Sequence, residues 1–385
     1  MTKVFTALGM MSGTSLDGID IALLRTDGGG RVERGAAMTV ASPPAFRERL
    51  VAGLAEALTI KQRDARPGAL AALEREITER HAAVVDSFCQ REGLRDSTID
   101  VIGFHGQTVL HRPADRLTVQ LGDGALLAEL TGITVVNDLR AADVAAGGQG
   151  APFVPVYHRA LAASLAERPV VFVNIGGVAN VTFIGPQGEL LAFDTGPGNA
   201  MLDDWVQRHR GMSCDTDGRL AAQGRVDEAL LARWMRHDFF SRPAPKSLDR
   251  NDFDVSALAQ ARVEDGAATL TAFTAAAIAA GLAQLPATPA LWVICGGGRH
   301  NPTLMGMVQA RLPGRVVAAE AVGVAGDSVE AEAFAYLAVR SLRGAPLSFP
   351  GTTGVPAAMT GGVVHRPAGV RKRASFETAR RASSG

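Results

Sequence analysis

The stretch "GMMSGTSLDGIDIALLRT" (residues 9–26) carries an apolar strand into a turn of Ser, Gly and Thr, passes Asp17 and Asp20, and resumes as an apolar run. "RPVVFVNIGGVANVTFIG" (residues 168–185) repeats that design around a Gly-Gly turn at Gly176 and Gly177. The chain starts twice. Between and after the two hairpins, apolar strands such as "IDVIGFHGQT", "GITVVNDLR" and "ALWVICGGG" alternate with helical periodicity, including one long amphipathic helix from about Ala55 to Arg91. Alternation with two like beginnings predicts an α/β protein of two similarly built halves facing a cleft.

The halves divide near residue 165. Residues 1–165 form an N-terminal domain with the first hairpin and residues 166–345 a C-terminal domain with the second. Residues 346–368 pack back on the core, and the Ser-rich basic tail from 369 to 385 is disordered. The chain has 385 residues and balances 39 Lys and Arg against 39 Asp and Glu, which removes the electrostatic case for nucleic acid or an anionic membrane surface. Cys89, Cys214 and Cys295 are odd in number and far apart, against a disulfide framework or structural zinc. No basic and apolar leader opens the sequence, which predicts a cytoplasmic protein. The most apolar stretch, "AATLTAFTAAAIAAGLAQL" (residues 267–285), is mostly alanine and carries Thr and Gln, so it reads as a buried helix.

Neither GxxxxGK[ST] nor a GxGxxG after a strand occurs, so P-loop and dinucleotide folds lose their support. Hairpin turns can nevertheless aim several backbone N–H groups at one anion without a lysine. In the first turn Ser12, Thr14 and Ser15 add hydroxyls, and Asp17 or Asp20 could hold a hydrated Mg²⁺. Taken alone, that turn reads more simply as an ordinary hairpin. "VNIGGVAN", with Asn174, Gly176 and Gly177, supplies a second phosphate-sized turn. "CGGGRHNP" ends a strand in Gly296 and Gly297, either to lie flat against a nucleotide or to let a helix pack closely.

"FDTGPGN" is the sharpest candidate for chemistry. Asp194 closes an apolar strand ahead of a tight turn through Gly196 and Gly198 and a helix near Asn199, the position of active sites in open α/β sheets. It is either a general base or an acceptor for its own turn. In "VVNDLRAADVAAGGQGAP" an Asn or Asp caps a helix, Arg140 meets a ligand carboxylate or pairs with a nearby aspartate, and "GGQGAP" reads as a mobile cleft loop. "FHGQT" sets His105 and Gln107 at a strand end, as core residues or as partners for sugar hydroxyls. "CDTDGRLAAQG" lacks the spacing and terminal Glu of a calcium loop and reads as a turn into a helix.

Together "MSGTSLDGID", "GFHGQTVLHRP", "VNIGGVANVTFI", "FDTGPGNAMLDDW", "DTDGRLAAQGRV" and "CGGGRHNP" resemble the anhydro-N-acetylmuramic acid kinases, from about residue 4 to 366. The resemblance implies a two-domain sugar kinase/Hsp70/actin-like fold that closes over ATP with Mg²⁺. It implies opening of 1,6-anhydro-N-acetylmuramic acid by water and phosphorylation of its O6 in peptidoglycan recycling. By the same resemblance the segment Gly13, Thr14, Ser15, Leu16, Asp17, Gly18, Ile19 and Asp20 binds ATP phosphates, Asp194 is the general base, Glu330 and Arg140 hold the sugar, and the protein is a cytoplasmic homodimer. "RPAPKSLDRNDFD" departs from the Lys-Ser-Thr-Gly form associated with many relatives, and the tail after residue 368 has no family role. Another kinase of the superfamily, or an ATP-gated binding protein, would share the hairpins but not "FDTGPGN" together with "NDLRAADVAAGGQGAP".

Overall fold

The computed structural model describes residues 2–13, 15–95, 98–248 and 252–368, so the tail from 369 to 385 lies outside the described residues. Phe5–Ser12 (β1), Gly18–Thr26 (β2) and Val32–Ala41 (β3) form an antiparallel meander, because short turns allow only antiparallel neighbours. Val101–Arg112 (β4) returns parallel to β1, Leu117–Leu121 (β5) folds back on β4, and Val135–Asn137 (β6) adds another parallel neighbour. The second half repeats the plan. Val170–Ile175 (β7), Val178–Ile184 (β8) and Leu190–Pro197 (β9) form the meander, then Leu291–Cys295 (β10) and Arg315–Ala318 (β11) add parallel strands beside β7. Both sheets therefore run in the same order: third, second and first hairpin strands, then two parallel strands. The first sheet is extended at its edge by Val363–His365 (β12), antiparallel to β6. This is the two-fold α/β architecture that the doubled hairpin implied.

The sequence order of elements and their packing differ in one place. Helix Val329–Leu342 follows the second sheet in the chain but lies on β1, β2 and β4 of the first. Gly9 and Gly103 pair in register, and a Cβ on either would stand 1.8 or 2.0 Å from the carbonyl oxygens of Ala331 and Phe334. Only glycine lets the helix sit that close. As a result the segment carrying Glu330 is anchored to the first half.

The long helix expected from Ala55 to Arg91 is two helices, Pro44–Ala57 and Leu70–Arg91. The break contains Pro67, which lacks an N–H, and Gly68 at φ 58°, a left-handed conformation that no helix continues through. The Ala-rich stretch forms helix Val263–Ala280, as read. Residues 263–284 are long and apolar enough to cross a membrane, but 72% of that apolar window is buried in the protein against β9 and the helices Arg219–Gln223 and Pro302–Gln309. "CDTDGRLAAQG" is a turn into helix Arg219–Gln223, where the Asp215 carboxylate accepts the N–H groups of Leu220 and Ala221.

Candidate active site

The first turn joins β1 to β2. Leu16 N–H closes it on the Gly13 carbonyl at 3.3 Å, Ser15 Oγ donates to Asp17 Oδ1 at 2.7 Å, and Ser12 Oγ donates to the Gly106 carbonyl at the end of the neighbouring strand. Gln107 Nε2 donates to the Gly13 carbonyl at 3.0 Å. The run from Gly13 to Asp20 is thus divided. Leu16 and Ile19 point their side chains into the hydrophobic core, and a Cβ on Gly18 would meet the Val40 carbonyl of β3 at 2.7 Å. Gly13, Ser15, Asp17 and Asp20 stay partly or fully exposed, and Thr14 lies outside the described residues.

The glycines of the other turns sort by the same test. A Cβ on Gly198 would be 2.2 Å from the Gly176 carbonyl, one on Gly196 2.5 Å from Ala277 Cβ, and one on Gly296, at φ 72°, 2.6 Å from Asn174 Oδ1. Packing and backbone geometry by themselves require glycine at these three positions. Gly13, Gly176, Gly177 and Gly297 have ordinary φ, and a Cβ on any of them would meet nothing closer than 3.3 Å. Neither strain nor crowding requires glycine there. Small residues at the tips of three turns leave backbone open to an approaching group, which is the arrangement an anion or a flat ring uses. The second turn is braced from behind, where Asn199 N–H donates to the Gly176 carbonyl at 2.7 Å and its side chain to the Ile175 carbonyl at 3.1 Å.

Arg140 is held from several sides. Its Nε–H donates to His105 Nε2 at 3.0 Å, its Nη1 donates to the Gly150 carbonyl at 2.7 Å, and its plane lies over Phe153 and Phe334. Because His105 Nε2 accepts, Nδ1 carries the proton and donates to the Gly106 carbonyl. Burial and the Arg140 charge hold His105 well below the usual histidine pKa, so it is neutral. Both His105 ring nitrogens are committed within the protein, one of them to Arg140, while the Gln107 amide N–H holds the first turn. Burial draws the Arg140 pKa down to about 10, against the pull of Glu330 and Asp143. Its Nη2 has no hydrogen-bond partner among the described residues, leaving one donor edge available.

The loop after Arg140 is tethered, unlike the mobile loop expected. The buried Asp143 carboxylate accepts Gly150 N–H at 2.7 Å, Thr353 Oγ1 at 2.6 Å and the Ser348 hydroxyl, while Gln149 N–H donates to the Thr353 carbonyl. Arg140 itself occupies the cap position of helix Ala141–Ala145, which no Asn or Asp side chain caps. Glu330 lies within electrostatic reach of Arg140. It is surface-accessible yet walled in by protein, and this desolvation and the Asp20 carboxylate push its pKa up against the opposing charge of Arg140. Asp20 is raised in turn by burial and by Asp17 and Asp327, despite accepting the Thr39 hydroxyl at 2.6 Å. Residues 20, 140 and 330 therefore share one electrostatic neighbourhood.

Asp194 does not close its strand. β9 continues to Pro197 through a bulge at which Asn180 faces Asp194, Ala179 faces Gly196, and Thr195 is the extra residue. Nor does the carboxylate serve its own turn: Oδ2 accepts Leu248 N–H at 2.9 Å, and Asp194 N–H donates to the Lys246 carbonyl. The variant loop "PAPKSL" thus brackets Asp194 through backbone groups, with the Lys246 ammonium bound to the Phe239 carbonyl, while Asp249 and Arg250 lie outside the described residues. No cation pairs with Asp194 among the described residues, and burial pushes its pKa up to about 6, against the Leu248 N–H. Such a carboxylate is ionised at neutral pH and more basic than a free one. Sequence reading missed Leu248 and Gly150, which act through backbone atoms and leave no side-chain signal.

A groove of about 590 Å³ among Gly30, Arg34, Leu161, Ser164 and Val322 lies apart from these residues. Its Arg34 is already spent on Glu332, in a buried cluster with Tyr157 and Ser328.

Two like sheets, each with an open small-residue turn in its first hairpin, and an uncompensated basic carboxylate on the second make an α/β protein of two similarly built halves whose parts suit phosphoryl transfer. A family model described as anhydro-N-acetylmuramic acid kinase matches residues 5–367. The chain belongs to that family. It is 54% identical over 366 residues to the anhydro-N-acetylmuramic acid kinase of Bradyrhizobium diazoefficiens, covering 94% of this chain and 100% of the relative. It is 52% identical over 372 residues to that of Agrobacterium fabrum, covering 95% and 100%. Among solved structures, component A of (R)-2-hydroxyglutaryl-CoA dehydratase from Acidaminococcus fermentans aligns with a TM-score of 0.45 at 10% identity, over 88% of this chain and 99% of that one.

Proposed function

We propose that Asp194 is the general base of the family reaction in this protein, that Arg140 and Glu330 hold the sugar, and that the turns at Gly13 and at Gly176–Gly177 hold the phosphates of ATP. The reaction opens the anhydro bridge of 1,6-anhydro-N-acetylmuramic acid with water and phosphorylates O6, giving N-acetylmuramic acid 6-phosphate and ADP during peptidoglycan recycling. The observation that carries the assignment is the environment of Asp194: a half-buried carboxylate with one N–H donor, no cationic partner and a pKa raised to about 6.

Asp194 takes a proton from water as the water oxygen bonds to C1. The C1–O6 bond breaks, O6 keeps the electron pair and attacks the γ-phosphorus, and ADP departs. The free Nη2 edge of Arg140 suits the lactyl carboxylate of the sugar, and His105 keeps that edge aimed. Glu330, a carboxylate with raised pKa beside Arg140, accepts hydrogen bonds from sugar hydroxyls. Gly296–Gly297 face the adenosine side.

The first turn fits Mg²⁺. Asp17 and Asp20 set carboxylates beside a serine hydroxyl, and among the described residues no group of three or more His, Cys, Asp or Glu forms an all-protein cage. One or two carboxylates, with water and phosphate completing the shell, is the Mg²⁺ regime. When bound, the ion neutralises charge on the transferring phosphoryl group. A homodimer and a cytoplasmic location belong to the same reading, on the strength of the family resemblance, and the doubled hairpin adds two domains meeting near residue 165.

The test is turnover of ATP, Mg²⁺ and 1,6-anhydro-N-acetylmuramic acid in ¹⁸O-water, read by mass spectrometry. One phosphate and one ¹⁸O at C1 are expected. Phosphorylation without ¹⁸O would exclude the coupled mechanism, and absence of product would exclude the function.

A further inference from the structure

Arg299 follows the triple glycine of "CGGGRHNP", and no role in the reaction above uses it. Its side chain is 2% exposed, whereas its two acidic partners are largely open, Glu320 at 51% and Asp327 at 78%. Nη1 and Nη2 meet Asp327 Oδ1 and Oδ2 at 2.9 and 2.6 Å, a two-pronged pair, and Nε meets Glu320 Oε1 at 2.8 Å. Nη1 also donates to the Gly296 carbonyl at 2.9 Å, so the guanidinium grips the start of the glycine turn itself. Gly326 is glycine because a Cβ there would stand 2.5 Å from Arg299 Nε. The local chain is shaped around this one side chain.

Asp327 immediately precedes the helix that carries Glu330. Ser328 occupies the N-terminal cap position of that helix without capping it, and its hydroxyl donates to Glu332, whose carboxylate is locked by Arg34 and Tyr157. The helix rests on the first sheet, whereas the glycine turn ends β10 of the second. A bidentate pair with one member buried is rigid and directional, unlike a solvated surface pair.

We infer that Arg299 and Asp327 are positioning residues that tie the nucleotide-side glycine turn to the helix presenting Glu330, so that filling one side of the cleft sets the geometry of the other. The inference rests on the functional reading above, since it takes the glycine turn as nucleotide-facing and Glu330 as sugar-facing. It makes the two ligands energetically coupled, and coupling of this kind is reciprocal. Asp327→Asn cuts the charge and one acceptor of the pair but leaves Arg299 with Glu320 and the Gly296 carbonyl, so the buried guanidinium is not stranded.

The experiment is calorimetric titration of 1,6-anhydro-N-acetylmuramic acid into the full chain with and without saturating β,γ-imido ATP and Mg²⁺, for wild type, Asp327→Asn and the charge-conserving Asp327→Glu. In wild type the analogue should tighten sugar binding about fivefold or more. In Asp327→Asn that factor should fall to within about twofold of unity while each ligand alone binds within about threefold of wild type, and Asp327→Glu should restore part of it. A merely structural clamp would lower the melting temperature without moving the coupling factor. Turnover in wild type with no coupling, or with the same coupling in Asp327→Asn, overturns the latch alone. No wild-type turnover overturns the functional reading, and the latch with it.

Discussion

Replacing Asp194 by Asn should abolish activity and stabilise the fold, with an effect that depends on pH in a calculable way. The Asp194 carboxyl titrates at about 6 in the folded protein instead of 3.8. That rise corresponds to about 3 kcal/mol of preference for the neutral form. The sign follows from linkage: the folded state binds the proton more tightly, so Asp194 is harmless below pH 3.8, becomes a growing liability between pH 3.8 and about 6, and costs its full amount above that. Asn keeps an oxygen for the Leu248 N–H and carries no charge to desolvate. Urea unfolding should therefore find Asp194→Asn more stable than wild type by up to about 3 kcal/mol at pH 8, with the difference shrinking toward zero near pH 4. Over the same range, wild-type kcat/KM should climb through a pKa near 6 to a plateau and be lost in the variant at every pH. An Asn variant less stable than wild type at pH 8, or a stability difference flat between pH 4 and 8, would refute the claim that the site holds an unpaired, desolvated base.

The glycine assignments separate by substitution. Gly176→Ala should leave the melting temperature unchanged while raising KM for ATP, whereas Gly198→Ala, whose Cβ meets the Gly176 carbonyl at 2.2 Å, should destabilise by about 2 kcal/mol in thermal melts. His105→Phe, which removes the acceptor for Arg140 Nε, should raise KM for the sugar about tenfold or more with ATP affinity unchanged in separate titrations. Asp143→Ala strands donors from Gly150, Ser348 and Thr353 and should cost about 3 kcal/mol or more in urea unfolding, with sugar affinity falling alongside.

Arg140 shows how far the local sequence reaches. Both an ion pair and a ligand contact were open from "NDLRAAD", and the structure assigns its Nε to a neutral histidine 35 residues earlier and its Nη1 to a backbone carbonyl. The same limit holds at Asp194, whose position was legible but whose partner, the Leu248 N–H, belongs to a loop of variant sequence. Backbone donors carry no residue identity, so no pattern of side chains could point to it.

By itself the sequence determined the doubled hairpin, the α/β alternation and the family, because strand periodicity and turn chemistry are local and repeat at residues 9–26 and 168–185. Tertiary structure alone decided which glycines face open space and which only admit a neighbouring backbone, since that depends on atoms far along the chain. It also decided that the helix bearing Glu330 lies on the first sheet, and that His105 accepts a hydrogen bond from Arg140. Burial and long-range contact set the basicity of Asp194, the property on which the proposed chemistry turns.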